Sequence, residues 1–332
     1  MKKHIAYAFI ILASALLFAC AGKSFAAGSL PLKHVTDIAL PGNATRLDYQ
    51  SLDARRHLLF VAHLGDSTVD VIDTKARRVV ATVPAVSEVH GVLVVPSLNT
   101  AYASATGTNE VVAIDENTFR ITARMPGGIY PDGIAFDPTS KRLFVSDERG
   151  GTDDVIDAHR NVKIATIVLG GEVGNTQYDA ASHHVFVNAQ GSGQLVEIDP
   201  TTNGIVRRTP LHGCDGNHGL LIDEHNARAF IVCEDNATLL ALDMHKMRLI
   251  GRWSIGGSPD VLALDDRRHI LYIAAESGIV SMFSDGKSIS RISQGFLAPA
   301  AHTVSVDPVT GLSYWPLENI NGAPLLRVME KR

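Results

Sequence analysis

A segment of about 42 residues recurs through most of this 332-residue chain. Its clearest copy begins at Asp132, and the same layout returns at six other positions. The seven start residues, in chain order, are Asp48, His90, Asp132, Gly174, His218, Asp260 and His302. Successive starts are 42, 42, 42, 44, 42 and 42 residues apart. Because the units of such an array bury their apolar faces against one another, a fixed period of this length predicts a repeat architecture.

Each repeat contains four short segments that predict β-strands. In the repeat that begins at Asp132, these segments are residues 133–136, 143–145, 155–157 and 164–168. The inner segments are continuously apolar and the fourth is more polar, as expected when inner strands lie between neighbouring sheets. An aspartate follows the first strand in most repeats, and another ends the third strand. We interpret these recurring aspartates as turn residues, because their side chains accept hydrogen bonds from turn backbone.

Four strands per repeat are typical of a propeller blade, so the sequence predicts an all-β, seven-bladed β-propeller with four-stranded antiparallel blades. The last repeat supplies three strands and then ends at Arg332. One additional strand, residues 34–40, precedes the first repeat and has the pattern of a fourth strand. We therefore expect this N-terminal strand to complete the last blade, which leaves no open sheet edge. Residues 28–332 would then form a single domain.

The first 27 residues have the features of an export signal with a short linker. Lys2 and Lys3 precede an uncharged apolar run over residues 5–18, which is too short for an ordinary membrane span. Two processing routes fit its end: residues 16–20 resemble a lipobox that would lipidate Cys20, and residues 24–26 would suit cleavage after Ala26. We expect the protein in the periplasm or at the outer membrane, with membrane contact only through such an anchor.

The charge balance gives no indication of nucleic-acid binding. The formal net charge is −5 and no basic tract stands out, whereas phosphate binding needs clustered Lys and Arg. The glycines at 170–174 lie between strands with no following helix, so a phosphate loop is not indicated. We expect a monomer whose partner is a protein or a small ligand of the envelope.

The repeats resemble those of the YVTN-type β-propeller proteins of bacterial envelopes. The resemblance rests on residues 59–62 (LFVA), 67–74 (STVDVIDT) and 79–84 (VVATVP), and at lower fidelity on residues 131–133 (PDG). It covers about residues 33–332 and is specific for the fold. It implies an exported seven-bladed propeller. It leaves the activity open, because such propellers serve as binding platforms, surface proteins and occasionally enzymes.

The start residues are the strongest candidates for function, because they differ between repeats while the turn aspartates recur. A residue just before the innermost strand should face the central channel at one mouth. Six of the seven starts are Asp or His, which are the side chains used for transition-metal binding and acid–base catalysis. The residue fifteen positions later, at the end of the second strand, should lie beside each start. This rule adds His63 and Asp147 and brings Glu148, Glu234 and Glu276 close.

The candidate ligand or metal residues are therefore Asp48, His63, His90, Asp132, His218, Asp260 and His302. The alternative interpretation is that a channel mouth is solvated and carries polar residues without a function.

Cys214 and Cys233 are the cysteines that follow the export segment. Cys214 lies in the loop that accounts for the 44-residue interval, four residues before His218, and strand pairing should place Cys233 opposite His218. An even number of cysteines in an exported chain is compatible with a disulfide. We expect that disulfide; the alternatives are a metal site made with His218 and two unlinked thiols.

No nucleophile elbow and no short metal-binding motif occurs in the sequence. We therefore expect a binding or scaffold protein of the envelope, with no certain cofactor. The alternative is a metal-dependent propeller enzyme of the lactonase or lyase type. In that enzyme a divalent ion at the channel mouth would polarise a carbonyl, and His218 or His302 would act as the base.

Overall fold

The computed structural model describes residues 29–332, which form 28 strands in seven four-stranded antiparallel sheets. The innermost strand of each sheet contacts the innermost strands of both neighbouring sheets, all the way round a ring. The protein is therefore a seven-bladed β-propeller, which confirms the predicted fold class. The predicted export segment and Cys20 lie outside the described residues. Within residues 29–332, no helix has the length and apolar character that a membrane span requires.

The strands follow the chain blade by blade, from the innermost to the outermost. The N-terminal strand is β1 (Leu32–Ala39). Blade 1 contains β2 (Gln50–Asp53), β3 (Leu58–His63), β4 (Thr68–Asp73) and β5 (Arg78–Val83). Blade 2 contains β6 (Val89–Val95), β7 (Thr100–Ala105), β8 (Glu110–Asp115) and β9 (Arg120–Pro126). Blade 3 contains β10 (Pro131–Asp137), β11 (Arg142–Asp147), β12 (Thr152–Asp157) and β13 (Val162–Val168).

The remaining blades repeat this order. Blade 4 contains β14 (Thr176–Asp179), β15 (His184–Ala189), β16 (Gln194–Asp199) and β17 (Gly204–Pro210). Blade 5 contains β18 (Asn217–Asp223), β19 (Arg228–Cys233), β20 (Thr238–Asp243) and β21 (Arg248–Ser254). Blade 6 contains β22 (Pro259–Asp265), β23 (Ile270–Ala275), β24 (Ile279–Asp285) and β25 (Ile289–Phe296). Blade 7 contains β26 (Ser305–Val306), β27 (Leu312–Ile320) and β28 (Ala323–Lys331). Short 3-10 turns cover Leu64–Asp66, Pro96–Leu98, Thr106–Thr108 and Gln190–Ser192.

The N-terminal strand closes the ring, as the sequence predicted. Blade 7 has the order β1-β28-β27-β26, and Ile38 of β1 pairs with Leu326 of β28. The Arg327 guanidinium donates two hydrogen bonds to the Asp37 carboxylate, at 2.9 and 2.8 Å. Blade 7 differs from expectation in one respect: β26 has only two residues, whereas β27 and β28 have nine each.

The recurring aspartates are turn residues, as predicted. Asp53, at the end of β2, accepts a hydrogen bond from the backbone N–H of Arg55 at 2.8 Å. Asp115, at the end of β8, accepts one from Thr118 at 2.8 Å. These carboxylates satisfy turn N–H groups that the strand ladders leave without a partner.

The apolar core lies between neighbouring blades. Phe60 of blade 1 is completely buried in a cluster with Val92 and Val94 of blade 2. Between blades 6 and 7, the Tyr272 ring meets the Trp315 ring edge-on at 6.2 Å. Burial of these faces is the main stabilising contribution, and it fixes the angle between blades. As a result the seven repeat starts converge on one mouth of the channel.

Candidate functional site

The start residues of four blades lie in β-bulges. In blade 3, Pro131 pairs with Asp147, and regular pairing resumes only at Ile134, so Asp132 lies between the two paired positions. The same irregularity occurs in blades 2, 5 and 6, where it contains His90, His218 and Asp260 respectively. Bulges change the direction of a side chain relative to the regular pleat. The bulges therefore direct these four side chains towards the channel mouth.

The prediction that Cys233 lies opposite His218 in blade 5 is wrong. Cys233 pairs with Asn217, not with His218, because the bulge that follows Asn217 displaces the register by one residue. Side chains of the preceding blade hold the bulged backbone in place. The Asn188 side-chain amide donates to the His218 carbonyl at 2.8 Å, and the Ser104 hydroxyl donates to the Asp132 carbonyl at 2.6 Å.

Gly174 is the one start residue that is neither Asp nor His, and packing explains the exception. A Cβ atom on Gly174 would lie 2.6 Å from the His218 carbonyl oxygen and 2.7 Å from its Cα. The backbone of blade 5 therefore leaves no room for a side chain at this position in blade 4. The backbone N–H of Asn175, the next residue, donates to the same His218 carbonyl at 2.9 Å.

A cavity of about 430 Å³ occupies the channel mouth. Five of the candidates, together with the three neighbouring glutamates, line it. The lining residues are Arg46, Asp48, Tyr49, Leu64, Glu88, His90, Tyr130, Asp132, Glu148, Gln190, His218, Glu234, Asp260 and Glu276. Seven of these are carboxylates and only one is an arginine, so the cavity is acidic. The guanidinium of Arg46 is already engaged, at 3.1 Å from Asp48 and 2.7 Å from Glu276.

Asp132 is the most unusual carboxylate of the mouth. It is 1% exposed, and neither of its oxygens has a hydrogen-bond partner within residues 29–332. The nearest cationic group is His218, whose Nε2 lies 3.9 Å away. Burial raises the pKa of Asp132 to about 7, against the opposing effect of His218 and His90. A buried carboxylate without donors is costly, so this position is one that a donor from a ligand would stabilise.

His218 lies between two carboxylates. Its Nε2 is 3.6 Å from Asp260 Oδ1, and its Nδ1 is 3.4 Å from the side-chain oxygen of Gln190. Burial acts to lower the pKa of His218, but the charges of Asp260 and Asp132 outweigh it and raise that pKa. The surroundings of His218 therefore favour the protonated imidazole.

His90 is oriented by two hydrogen bonds on the opposite side of the mouth. Its Nδ1 lies 2.9 Å from the Glu88 carbonyl, and its Nε2 lies 2.9 Å from the Tyr130 hydroxyl. The guanidinium of Arg149 lies over the Tyr130 ring, 3.8 Å from its centroid. The hydrogen bond with His90 and the contact with Arg149 therefore hold Tyr130 in place, and Tyr130 lines the cavity.

Tyr49 crosses the channel and was not among the predicted site residues. Its hydroxyl donates to Asp260 at 3.2 Å, accepts from the Asn175 amide at 2.7 Å and lies 3.4 Å from His218 Nε2. A second cavity of about 340 Å³, lined mainly by the innermost strands, also contacts Tyr49 and Asp260. Tyr49 therefore separates the acidic mouth from the rest of the channel.

The sequence position that follows each repeat start carries a small residue in the other six repeats. These residues are Gly91, Gly133, Asn175, Gly219, Val261 and Thr303. A tyrosine among such small residues is the signal that would have found it.

Two predicted site residues do not line the cavity. His302 is completely buried behind Asp48 and Asp260, and its Nδ1 lies 2.9 Å from the Ala300 carbonyl. His63 lies in the wall of blade 1, with its Nε2 3.1 Å from the Thr45 hydroxyl. Asp147, the corresponding residue of blade 3, accepts a hydrogen bond from the Thr152 hydroxyl at 2.7 Å, also outside the cavity lining.

Cys214 and Cys233 form a disulfide, with their Cα atoms 5.2 Å apart. Of the three arrangements considered for this pair, the structure has the disulfide. The bond joins the loop before blade 5 to strand β19, and it leaves neither sulfur as a thiolate ligand for a metal at His218.

Comparisons with known proteins agree on the class of fold and on little beyond it. No protein-family model matches the chain. Proteins described as "Uncharacterized protein YncE" from Salmonella typhi and from Salmonella typhimurium are 29% identical to it over 114 residues. This match covers 32% of the chain and 32% of each relative, so the chain matches about a third of the length of these relatives.

Three solved structures share the whole architecture. A chain of hydrazine synthase from Kuenenia stuttgartiensis has a TM-score of 0.75 at 14% identity, covering 86% of this chain and 95% of its own. Streptogramin B lyase has a TM-score of 0.75 at 9% identity, with 90% and 97% covered. The WD40 repeats of RRP9 have a TM-score of 0.76 at 10% identity, with 91% and 97% covered. At such identities the similarity shows the fold alone.

Proposed function

We propose that this protein is an exported binding protein of the bacterial envelope that holds a small organic cation in the acidic cavity at its channel mouth. The observation that carries the proposal is Asp132, a buried carboxylate that lines this cavity and has no hydrogen-bond donor on either oxygen within residues 29–332. An ammonium or guanidinium group of a ligand would supply the donors that the protein does not. Charge-assisted hydrogen bonds of this kind are among the strongest in proteins.

The size and charge of the cavity support a small organic cation over a protein segment. A volume of about 430 Å³ lies within the usual range of small-molecule sites. Even if His90 and His218 were both protonated, the carboxylates would still outnumber the cationic side chains of the lining. The rings of Tyr49 and Tyr130 offer aromatic surface, which attracts cations.

The cellular setting of this function is part of the proposal. Residues 1–27 supply the export signal, with Cys20 as the anchor if the lipobox route is used. The resemblance of the repeats to those of YVTN-type propellers supports this setting, and we take the working form to be a monomer with a small-molecule ligand. Mass spectrometry of the mature N-terminus tests the anchor, because a diacylglyceryl group on Cys20 requires the lipobox route.

Calorimetric titration of the mature chain tests the binding function. The probes are putrescine, choline and arginine, with glutarate as an anion of similar size. We expect at least one cation to bind and glutarate not to bind. Asp132→Asn should weaken the binding at least about tenfold, because it removes the charge from the central acceptor. Glu330→Gln, on an exposed strand end, is the matched control and should change nothing. The proposal is abandoned if none of the three cations binds, or if Asp132→Asn binds as tightly as the parent chain.

A metal-dependent enzyme of the lactonase or lyase type is the second candidate. It is favoured by the proximity of Asp48, Asp260 and His302, whose ligand atoms lie within 4.8 Å of one another. In such an enzyme a bound divalent ion would polarise the carbonyl of the substrate. His218 is the base that fits, because it lines the cavity, whereas His302 is buried behind it. Hydrolysis of lactones by the metal-supplemented chain, abolished in His218→Asn, would establish this activity, and its absence in the parent chain would rule the candidate out.

A further inference from the structure

We infer that Asp48, Asp260 and His302 form a binding site for a first-row divalent transition-metal ion at the edge of the channel mouth. Each residue offers one ligand atom, and these atoms lie within 4.8 Å of one another. In a tetrahedral site, ligand atoms 2.0–2.2 Å from the ion are about 3.5 Å apart, so the most widely separated pair would move closer by about 1 Å when the ion binds. This site does not depend on the organic cation proposed above.

The state of His302 points to a ligand independently of the acidic residues. Its Nδ1 lies 2.9 Å from the Ala300 carbonyl, which can only accept, so Nδ1 carries a proton. The Nε2 atom is buried and has no hydrogen-bond partner within residues 29–332. A backbone carbonyl that fixes one ring nitrogen while the other stays available is the usual arrangement around a metal-ligating histidine. The competing occupant of Nε2 is a proton, which a bound metal would displace.

The local charge balance also favours a divalent cation. Asp48 and Asp260 are joined by Glu276, whose carboxylate lies 3.7 Å from His302 Nδ1. Within residues 29–332, Arg46 is the one guanidinium paired with these groups, and it is bonded to Asp48 and Glu276. Three carboxylates with one guanidinium leave an excess of two negative charges when His302 is neutral. Burial makes such an excess unfavourable, and a divalent ion neutralises it.

The donor set indicates the class of metal. One imidazole and two carboxylates suit Zn²⁺, Mn²⁺ and similar ions, whereas Ca²⁺ and Mg²⁺ prefer oxygen ligands throughout. Asp48 and Asp260 line the cavity, so an ion can reach the site from the mouth. The three ligands come from blades 1, 6 and 7 and therefore bridge the part of the ring where the two ends of the chain meet. A bound ion should accordingly raise the melting temperature of the whole protein.

The test uses the untagged mature chain, freed of metal with a chelator. Co²⁺ is titrated while visible absorption is recorded, and Zn²⁺ and Mn²⁺ are titrated by calorimetry. We expect about one equivalent to bind with a Co²⁺ absorption band, and Zn²⁺ to displace Co²⁺. His302→Ala should weaken this binding at least about tenfold, as expected for loss of one ligand. His90→Ala is the matched control: it removes a histidine that lines the mouth but lies outside the cluster, and it should bind normally.

The outcomes separate this inference from the proposed function. Asp132→Asn should lose the organic cation and keep the metal, whereas His302→Ala should do the reverse. If His302→Ala does not fold, as judged by circular dichroism, Asp260→Asn replaces it and should show the same loss. The metal site is refuted if the parent chain binds none of the three ions stoichiometrically. It is equally refuted if the folded ligand variant binds them as the parent does.

Discussion

Several buried carboxyl groups of residues 29–332 have an oxygen with no hydrogen-bond donor. Some of these groups line the cavity at the channel mouth, and others lie outside it. Asp132 lies at the channel mouth, where a ligand can complete its hydrogen bonding. Glu116 lies outside that cavity and is only 1% exposed, with neither oxygen bonded within the described chain. It lies beside Asp53, one of whose oxygens is also unpaired. No ligand proposal involves Glu116, so its effect should appear in stability alone.

Burial, together with the nearby Asp53 carboxylate, raises the pKa of Glu116 to about 7 from its usual 4.5. Between these values the folded protein binds more protons than the unfolded chain, so stability falls as the pH rises through this window. Glu116→Gln removes the charge and supplies an amide donor for Asp53. We expect it to raise the free energy of unfolding by roughly 1–2 kcal/mol at pH 8 and to change little at pH 5.

Urea denaturation of Glu116→Gln and of the parent chain at several pH values between 5 and 8 measures this difference. Glu330→Gln, which alters an exposed carboxylate, is the control and should run parallel to the parent at every pH. A variant that is equally stabilised at pH 5 and pH 8 would show that Glu116 is not protonated in the folded protein.

The residues of the mouth could be predicted only where the repeat itself marks them. His90, Asp132, His218 and Asp260 stand at repeat starts, and the period alone placed them at one end of the channel. Tyr49 follows a repeat start and stands out there among small residues, but the period does not predict which residues it contacts. Its partners belong to blades 4, 5 and 6, and only closure of the ring brings them within reach of a blade 1 side chain.

At the scale of elements, the sequence predicted the strands well and their exact pairing less well. The four-strand pattern and the turn aspartates are local properties, so the repeat specifies them directly. The bulges at the repeat starts depend on bonds from the preceding blade, such as Ser104 to the Asp132 carbonyl. That dependence on a neighbour explains why Cys233 was assigned to His218 when it pairs with Asn217.

Strand β12 of blade 3 contains an acidic residue at a position that is otherwise buried and aliphatic. The second position of the third strand is buried and aliphatic in the other blades that have this strand pattern. Those residues are Val69, Val111, Leu195, Leu239 and Val280. Blade 3 has Asp153 at this position, fully buried. Neither of its oxygens has a hydrogen bond of ordinary geometry within residues 29–332, although the Thr176 side chain lies close to it. Burial, assisted by the charge of Asp147, raises the pKa of Asp153 well above its ordinary value.

We expect Asp153→Val to stabilise the protein by roughly 2–4 kcal/mol at pH 8, because it replaces a buried unpaired carboxyl with the residue that this position otherwise carries. The gain should shrink as the pH falls from 8 to 5, because the raised pKa of Asp153 lets the folded protein take up a proton that the unfolded chain does not. Thermal and urea denaturation at the two pH values measure the effect.

The reciprocal variant Val69→Asp, at the same position of blade 1, is the matched control. It should destabilise the protein by about 3 kcal/mol or more, since it introduces a buried carboxyl where the blade now packs an aliphatic side chain. If Asp153→Val proves less stable than the parent, the carboxyl makes a favourable interaction in blade 3, and the structural interpretation of Asp153 is wrong.

At the scale of the whole molecule, closure of the ring was predictable from a count of strands. The last of the seven repeats lacks one strand, and one additional strand precedes the first repeat. If the additional strand completes the last blade, no sheet edge stays open. The number of strands does not predict how the side chains pack between blade 7 and blade 1. Ile38 of β1 is 5% exposed and lies in a cluster with Leu47, Leu59 and Leu326, which joins blade 7 to blade 1.

This junction should control the stability of all seven blades, because each blade is supported by two neighbours only while the ring is closed. Ile38→Ala should lower the free energy of unfolding by roughly 2–4 kcal/mol, as is usual for a large-to-small change in a core.

Fluorescence can follow the two regions separately, because Trp315 lies in blade 7 and Trp253 lies in blade 5. The Trp253→Phe background reports on blade 7 alone, and the Trp315→Phe background reports on blade 5 alone. We expect both transitions to move together to lower urea. Ile292→Ala, in the outer strand of blade 6 where the side chain is 39% exposed, is the control and should cost less than about 1 kcal/mol. If Ile38→Ala shifts only the Trp315 transition, blade 7 detaches by itself and the ring does not unfold as one cooperative unit.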